Sequence, residues 1–354
     1  MKILSIVGAR PQFIKLGPLS KEIRKQHDEI IIHTGQHFDK EMSEQIFYDL
    51  KIPKPDYNLK INGGAHGEQT GRMMIKLEKL VQDIKPDAMI VFGDTNSTIA
   101  GTIIGAKLHI PIVHVEAGLR SFNRSMPEEI NRIIADHTSD LLFSPTMTAV
   151  NNLVNEGLKD KTFLTGDIMV DALSENVEKI NNDSSIINRL NIKNNKYFLL
   201  TLHRPYNVDD PSRLNLIIKK LGIINTSIIF PIHPRTEKVL TNNNIKVGKN
   251  ILLIKPQGYL DFLALINSAE KILTDSGGVQ KEAYILKKRC ITIRSETEWV
   301  ETLIGGWNRL VDPGNNDFIK QVISTEAPEK HQYIFGHNVA KEMVTIINNH
   351  LTEN

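Results

Sequence analysis

The sequence predicts an α/β fold made of two doubly wound domains. Short apolar runs rich in β-branched residues alternate with segments of helical periodicity, which is typical of parallel sheets covered by helices. The alternation runs through two similar halves that meet near residue 167, and a length of 354 residues is ordinary for two domains. We therefore expect two Rossmann-like domains facing each other across a cleft, at residues 1–166 and 167–337.

The first half begins with the run KILSIVG, which predicts a strand at residues 2–8. By the same criteria, strands are predicted at 28–35, 88–94, 111–117, 140–146 and 163–166, and helices at 11–26, 40–50, 68–84, 97–107, from 128 onward and up to about 156. This succession is the pattern of one doubly wound domain.

The second half repeats the pattern. Strands are predicted at 197–203, 227–233, 251–256, 271–277 and 289–295, and helices at 169–180 and from residues 212, 259 and 278. The last helix, within residues 338–354, is expected to pack back on the first domain.

The composition excludes several classes of protein. The formal charge of +2 is too small to indicate a nucleic-acid partner or a membrane surface. Apolar runs stay well short of the ~20 residues of a membrane span, and the N-terminal run lacks the pattern of a signal peptide. The single cysteine, Cys290, lies in an apolar run and allows no disulfide within the chain, which suits a reducing compartment. We expect a cytoplasmic protein.

Three acids mark the first domain as the place of chemistry. Asp94 and Glu116 end two apolar runs that predict neighbouring buried strands, and Glu128 opens the next helix directly after Pro127. The carboxyl ends of parallel strands form the edge where open α/β sheets bind ligands, so these carboxylates are expected to face one crevice. Helix caps or salt-bridged acids are the alternative.

The first strand ends in a turn that differs from nucleotide-binding fingerprints. The turn GARP lacks G-x-G-x-x-G, and the chain has no G-x-x-x-x-G-K-[ST], which argues against nicotinamide binding and P-loop hydrolysis. Arg10 and Lys15 nevertheless offer fixed positive charge at this strand end. A solvated Arg and Lys at the start of a helix are an equally acceptable interpretation.

The second domain carries a candidate phosphate site. Ser276, Gly277 and Gly278 follow a predicted strand and open a helix, whose N–H groups favour a diphosphate, and Glu282 lies one turn further on. The pair His203 and Arg204 and the residue His233 also end strands, where imidazole and guanidinium groups steady negative charge on phosphate. A plain glycine-rich turn and structural histidines are the alternatives.

Taken together, these segments resemble a known family. The runs, in chain order, are GARP, FGDTNST, HVEAGLRS, PEEINR, LHRPYN, PIHP, TDSGGVQKEA and RSETEWVE. In this order and over nearly the whole chain they are similar to the non-hydrolysing UDP-N-acetylglucosamine 2-epimerases.

The resemblance implies a GT-B-like fold that holds UDP between its domains, a homodimer, and a reaction without metal, nicotinamide or other cofactor. The implied enzyme is an isomerase that interconverts UDP-GlcNAc and UDP-ManNAc type sugars by elimination and re-addition of UDP. Carried over motif by motif, Asp94, Glu116 and Glu128 share the acid/base duties. The implied ligand contacts are His203 and Arg10 to the departing diphosphate with Lys15 close by, Ser276, Gly277 and Gly278 to phosphate, Glu282 to ribose, and His233 with Arg204 on the nucleotide side.

Three features depart from the pattern of the plain UDP-GlcNAc enzymes. They are the segment SETEWVE at 295–301, Lys281 in place of a glutamate, and Asp39 where many bacterial members carry a glutamine that helps hold an activating second UDP-GlcNAc. The same variants are similar to members that act on UDP-2,3-diacetamido-2,3-dideoxy-glucuronate or UDP-2-acetamido-2,6-dideoxy-talose. A GT-B glycosyltransferase and a non-catalytic nucleotide-sugar sensor are the alternatives from other functional classes.

Overall fold

The computed structural model describes residues 1–36, 47–48, 50–182, 185–192 and 196–351. The chain divides into two units, one formed by Met1–Ser174 with Ile334–Asn354 and the other by Glu175–Tyr333. The helix Met169–Asn182 continues across the first of these boundaries and begins just after the boundary predicted at residue 166.

The first unit contains a seven-stranded parallel sheet. In chain order its strands are β1 Lys2–Val7, β2 Asp28–His33, β3 Tyr57–Asn58, β4 Ala88–Phe92, β5 Ile112–Val115, β6 Leu141–Ser144 and β7 Thr162–Leu164. Their spatial order is β3-β2-β1-β4-β5-β6-β7, which is the doubly wound order of a Rossmann-like sheet with one strand added.

Helices cover both faces of this sheet. In chain order they are α1 Arg10–Ile23, α2 His66–Ile84, α3 Asn96–Lys107, α4 Pro127–Thr138, α5 Met147–Asn155 and α6 Met169–Asn182. Apolar side chains of α1 pack on one face and those of α2 and α3 on the other. Strands buried on both faces explain why the apolar runs in the sequence are continuous rather than alternating.

The second unit contains a six-stranded parallel sheet of the same design. Its strands are β8 Tyr197–Thr201, β9 Ser227–Pro231, β10 Ile251–Ile254, β11 Lys271–Thr274, β12 Arg289–Thr292 and β13 Asn308–Leu310, in the spatial order β10-β9-β8-β11-β12-β13. The helices of this unit are α7 Ser185–Arg189, α8 Pro205–Val208, α9 Pro211–Leu221, α10 Pro234–Asn242, α11 Tyr259–Ser268, α12 Gly277–Ile285 and α13 Phe318–Ser324. The predicted fold class of two Rossmann-like units is therefore confirmed.

The last helix, α14 Val339–Leu351, belongs to the core of the first unit. Met343 and Ile347 are buried in the same apolar cluster as Phe13 and Leu16 of α1. Burial of one apolar face of the helix against α1 explains how a segment that follows the second unit in sequence is held in the first.

Most predicted elements occur within a few residues of the expected bounds, but short ones were missed. The sequence analysis did not predict β3, α7, α8, α10, α13 or β13, which have between two and nine residues. The helix predicted at 40–50 falls mostly outside the described residues. Within the described ranges, no helix is both long and apolar enough to cross a membrane.

Candidate active site

The charged residues of the first unit gather where neighbouring strands end. Glu116 directly follows β5, Asp94 lies two residues after β4, and these two strands pair in parallel. Strands β1 and β4 are the point at which the strand order reverses, the usual ligand-binding edge of such a sheet. The prediction that both acids follow neighbouring parallel strands is therefore confirmed.

Glu116 contacts a lysine of the first helix. The Nζ atom of Lys15 donates to Oε2 of Glu116, and both side chains are largely buried. The backbone of Glu116 has a φ of 73°, in the left-handed region that only a few per cent of non-glycine residues adopt. An added Cβ at Gly93 would lie 3.2 Å from Glu116 Oε2, so this carboxylate lies beside the turn that carries Asp94.

Asp94 is held by α4. Arg132 Nη2 donates to Asp94 Oδ2 at 2.6 Å, and Asn131 Nδ2 donates to the Asp94 carbonyl oxygen at 2.9 Å. Arg132 also donates through Nη1 to Glu129 Oε2 at 2.9 Å, and the two acids together raise the pKa of Arg132 although burial opposes this. A single guanidinium therefore links Asp94 to the first turn of α4.

The structure distinguishes the two adjacent glutamates of this turn. Glu128 is exposed, whereas Glu129 is buried and accepts hydrogen bonds from the backbone of Ser121 and Phe122 and from the Ser121 hydroxyl. Burial acts to raise the pKa of Glu129, but these bonds and the one from Arg132 lower it. The sequence analysis singled out Glu128, whose acid/base role stays a prediction, and did not consider Glu129. The three-residue spacing of Glu129 and Arg132 on a helix was the available signal.

The turn between β1 and α1 is organised by Gln12, which sequence reasoning did not single out. Its Oε1 accepts from the N–H groups of Gly8 and Ala9, and its Nε2 donates to the Phe92 carbonyl oxygen at 2.7 Å. Arg10 is the first residue of α1. Gln12 therefore bonds the amides of Gly8 and Ala9, and Arg10 adds a cationic side chain next to them.

In the second unit, the buried acid Asp275 organises the equivalent strand ends. It accepts from the backbone N–H groups of His203 and Arg204, at 3.1–3.2 Å and 3.1 Å, and from Asn207 Nδ2 at 3.2 Å. Strands β8 and β11, which precede these residues, are the point at which this second sheet reverses its order. The structure thus brings His203 and Arg204 together at the ligand-binding edge of the second sheet.

The two strand-end histidines of this unit are neighbours. The rings of His203 and His233 are 6.1 Å apart, and His233 Nδ1 accepts from the N–H of Arg235. Burial, Arg204 and His233 lower the pKa of His203, against the opposing effect of Asp275. A neutral His203 can still donate a hydrogen bond to a phosphate oxygen.

The predicted phosphate turn begins α12, and a carboxylate of the same unit lies against it. Ser276 precedes the helix without capping it through its side chain, and an added Cβ at Gly277 would lie 2.0 Å from Glu298 Oε1. Glu298 contacts Arg294 at 2.9 Å and Arg204 at 3.7 Å, and it has a lowered pKa because these cations outweigh its burial. A carboxylate at this helix end fits the preference of a helix N-terminus for negative charge.

Further predicted ligand residues lie on the same helix. Gly278 follows Gly277 in the first turn, and an added Cβ there would meet only Ser276 Oγ, at 4.0 Å. Glu282 is buried in the next turn, and the ammonium of Lys281 lies 4.1 Å from the centre of the Trp299 ring. Lys281 and Trp299 are two of the positions where the sequence departs from the plain UDP-GlcNAc pattern, and the structure places them in contact.

Asp39, the third departure, lies outside the described residues. Among the residues that are described, no group of three or more His, Cys, Asp or Glu side chains has an arrangement that would hold a metal ion.

Two Rossmann-like units with charged side chains at their strand ends are the architecture of a GT-B-like fold. The sequence profile of the family described as UDP-N-acetylglucosamine 2-epimerase matches residues 21–347. The chain belongs to the UDP-N-acetylglucosamine 2-epimerase family, a family of isomerases, and the resemblance noted in the sequence is confirmed.

Individual relatives match along nearly the whole chain. A UDP-N-acetylglucosamine 2-epimerase homolog of Methanococcus maripaludis is 51% identical over 356 residues, covering 99% of this chain and 100% of the relative. The UDP-2,3-diacetamido-2,3-dideoxy-D-glucuronate 2-epimerase of Pseudomonas aeruginosa is 47% identical and covers 88% of each chain. The crystal structure of Methanocaldococcus jannaschii UDP-GlcNAc 2-epimerase in complex with UDP-GlcNAc and UDP has a TM-score of 0.90 at 44% identity, covering 99% of this chain and 100% of the other.

Proposed function

We propose that this protein is a non-hydrolysing 2-epimerase that interconverts UDP-GlcNAc and UDP-ManNAc. The observation that carries the proposal is the pair Asp94 and Glu116 at adjacent strand ends, each held by a cation from another element. The Methanocaldococcus jannaschii enzyme, which binds UDP-GlcNAc and UDP in its crystal, supports the substrate through its similarity over 99% of this chain.

The proposed reaction couples proton removal to loss of the leaving group. The C2 proton of the sugar is not acidic, so a base removes it while the C1–O bond to UDP breaks, which leaves a glycal-type sugar with a double bond between C1 and C2. UDP then re-adds at C1 while an acid delivers a proton to the other face of C2. This route requires acid/base groups on both faces and stabilisation of the departing diphosphate.

The first unit supplies the acid/base groups in this proposal. We assign these duties to Asp94, Glu116 and Glu128 as a set. Arg132 fixes the Asp94 carboxylate and Lys15 contacts that of Glu116, which limits their rotation and holds each acid in one geometry. Arg10, at the start of α1, provides positive charge for the departing diphosphate.

The second unit supplies the nucleotide contacts in this proposal. His203 donates to the departing diphosphate, and Arg204 and His233 add charge and hydrogen bonds on the nucleotide side. Ser276, Gly277 and Gly278 offer the N-terminus of α12 to a phosphate group, and Glu282 accepts from the ribose hydroxyls.

A second candidate substrate is UDP-2,3-diacetamido-2,3-dideoxy-glucuronate. The Pseudomonas aeruginosa epimerase of that sugar is 47% identical to this chain, which is close to the 51% and 48% of two relatives named for UDP-GlcNAc. The contact of Lys281 with Trp299, two residues that depart from the plain pattern, supports the same candidate.

The test is to incubate the purified protein separately with UDP-GlcNAc and with UDP-2,3-diacetamido-2,3-dideoxy-glucuronate, without any acceptor, and to follow the C2 proton by NMR. We expect one of the two sugars to reach an equilibrium with its C2 epimer. Recovery of both sugars unchanged would contradict an epimerase and favour a glycosyltransferase, which requires an acceptor. The homodimer and the cytoplasmic location stay predictions.

A further inference from the structure

A buried histidine and a buried aspartate contact the backbone of the two turns that carry Asp94 and Glu116. His114, in β5, and Asp136, in α4, are each 0% exposed. Nδ1 of His114 lies 2.7 Å from Asp136 Oδ1, and Nε2 lies 2.7 Å from the carbonyl oxygen of Gly93. The imidazole therefore spans from α4 to the turn that follows β4.

The two partners of this ring determine its protonation. A carbonyl oxygen accepts hydrogen bonds and cannot donate one, so the contact with Gly93 requires a proton on Nε2. Ionised Asp136 is also an acceptor, so the second contact requires a proton on Nδ1. The two contacts together have the geometry of an imidazolium paired with a buried carboxylate.

Asp136 is held ionised from several directions. Its Oδ2 lies 2.7 Å from Nη1 of Arg120 and accepts from the N–H of Gly118 at 3.1 Å. Burial acts to raise the pKa of Asp136, but the bonds and charges of His114 and Arg120 lower it. Arg120 is itself fixed by two bonds to Glu156, at 2.7 and 2.8 Å.

These contacts surround the backbone of Glu116. His114 lies two residues before it and Gly118 two residues after it, and both bond the same carboxylate. Glu116 itself has a φ of 73°, which a non-glycine residue retains only when its surroundings impose it. The bond from His114 to Gly93 also fixes the residue directly before Asp94.

We infer that His114 and Asp136 form an imidazolium–carboxylate pair whose role is to position Glu116 and Asp94 for proton transfer. The inference rests on the proposed epimerase function for its kinetic consequence. His114 is a positioning residue, because its side chain is 0% exposed and bonds to backbone and to Asp136. Displacement of a reacting group by about 1 Å is enough to lower a rate by ~10²-fold.

The first test reads the protonation of the ring directly and does not depend on activity. Long-range ¹H–¹⁵N NMR at neutral pH, with the His114 signal identified by its loss in His114→Gln, is expected to show a proton on both ring nitrogens. A neutral imidazole, with one nitrogen unprotonated, would overturn the inference whatever the protein catalyses.

The second test compares two variants of His114 with a control variant at the neighbouring residue Val113. His114→Asn keeps a donor for Asp136 but does not reach Gly93, and His114→Gln reaches Gly93 but loses the donor for Asp136. We expect ~10²-fold lower kcat for His114→Asn, a smaller loss for His114→Gln, and KM within about threefold of the wild type in both. Val113→Ala, at a buried core position of the same strand, controls for lost stability and is expected to keep nearly wild-type kcat.

The outcomes separate the two proposals. A kcat of the His114 variants no lower than that of Val113→Ala would overturn the positioning role. If the wild type epimerises neither sugar, the proposed function fails, and the NMR result alone then decides whether the buried imidazolium pair exists.

Discussion

At the scale of single residues, Glu116 combines local strain with a fixed partner. A non-glycine residue in the left-handed region costs of order 1–3 kcal/mol, and such strain tends to persist where function requires it. Here the φ of 73° turns the chain directly after β5, and the side chain contacts Lys15, which lies 101 residues away in sequence. The strained backbone of Glu116 is therefore part of the turn that places its carboxylate at the end of β5.

Gly277 and Gly278 provide a residue-scale prediction. Gly277→Ala would place its methyl group 2.0 Å from Glu298 Oε1, so Glu298 must move and its bond to Arg294 weakens. We expect the free energy of unfolding to fall by about 1–2 kcal/mol, as measured by urea denaturation.

Gly278→Ala is the matched control, because its methyl group would meet only Ser276 Oγ at 4.0 Å. An alanine in the first turn of a helix is expected to leave stability unchanged or to raise it by up to about 1 kcal/mol. Equal stabilities of the two variants would show that Glu298 does not constrain Gly277.

Single residues of the candidate site differ in how well the sequence predicts them. The acids Asp94 and Glu116 were predictable because they end apolar runs that form parallel strands. Their partners Lys15 and Arg132 were not assigned to them, since those pairs lie 101 and 38 residues apart and depend on the fold. Whether Glu128 or Glu129 is buried depends on the rotation of α4 about its axis, which an isolated helix start does not specify.

At the scale of elements, α14 supports a stability prediction. Met343 is 1% exposed in the core of the first unit, so Met343→Ala is expected to cost about 2–5 kcal/mol of unfolding free energy. Asn349, exposed on the same helix, is the control, and Asn349→Ala should change stability by no more than about 0.5 kcal/mol. If both variants unfold at the same urea concentration, α14 does not stabilise the unit through this face.

The helix α4 supports a prediction about acid stability. Glu129 and Asp136 both have a lowered pKa in the folded state, so the unfolded chain binds more protons as the pH falls. Their stabilising contribution is complete above the unfolded values of 4.5 and 3.8 and is lost as the pH falls through the lower folded values.

The measurement is the free energy of unfolding between pH 6 and pH 3. It should decrease with acidity, and Glu129→Gln should show a shallower decrease because one of the two groups is removed. An unchanged slope in this variant would contradict the assignment of the lowered pKa to Glu129.

Elements differ in how well the sequence predicts them. Long helices and buried strands such as α2 and β4 have a clear period or a continuous apolar run, and they occur where expected. The four-residue α8 and the three-residue β13 are too short to show a period. The helix α8 follows the end of β8, and β13 pairs with β12 at the edge of the second sheet, so both depend on the folded sheet.

At the scale of the whole molecule, two units share one topology. Both sheets are parallel and reverse their strand order between the first and fourth strands, and in both the candidate residues follow those strands or the next. The repeated alternation in the sequence predicted two similar doubly wound units but not the order of their strands. The sugar substrate does not follow from overall similarity, because relatives at 47% and 48% identity are named for different substrates. Substrate choice depends on a few side chains that the fold leaves free to vary.

The most direct test of the account is deuterium incorporation at C2 when the protein and its UDP-sugar are mixed in D₂O. The wild type is expected to place deuterium at C2 of both epimers, and Asp94→Asn and Glu116→Gln are expected to incorporate it at least ~10²-fold more slowly. The control is Asp87, which directly precedes β4, whereas Asp94 follows this strand at its other end. Asp87→Asn should therefore incorporate deuterium at a nearly wild-type rate. Incorporation by Asp94→Asn and Glu116→Gln at the rate of Asp87→Asn would contradict the claim that these strand-end acids transfer the C2 proton.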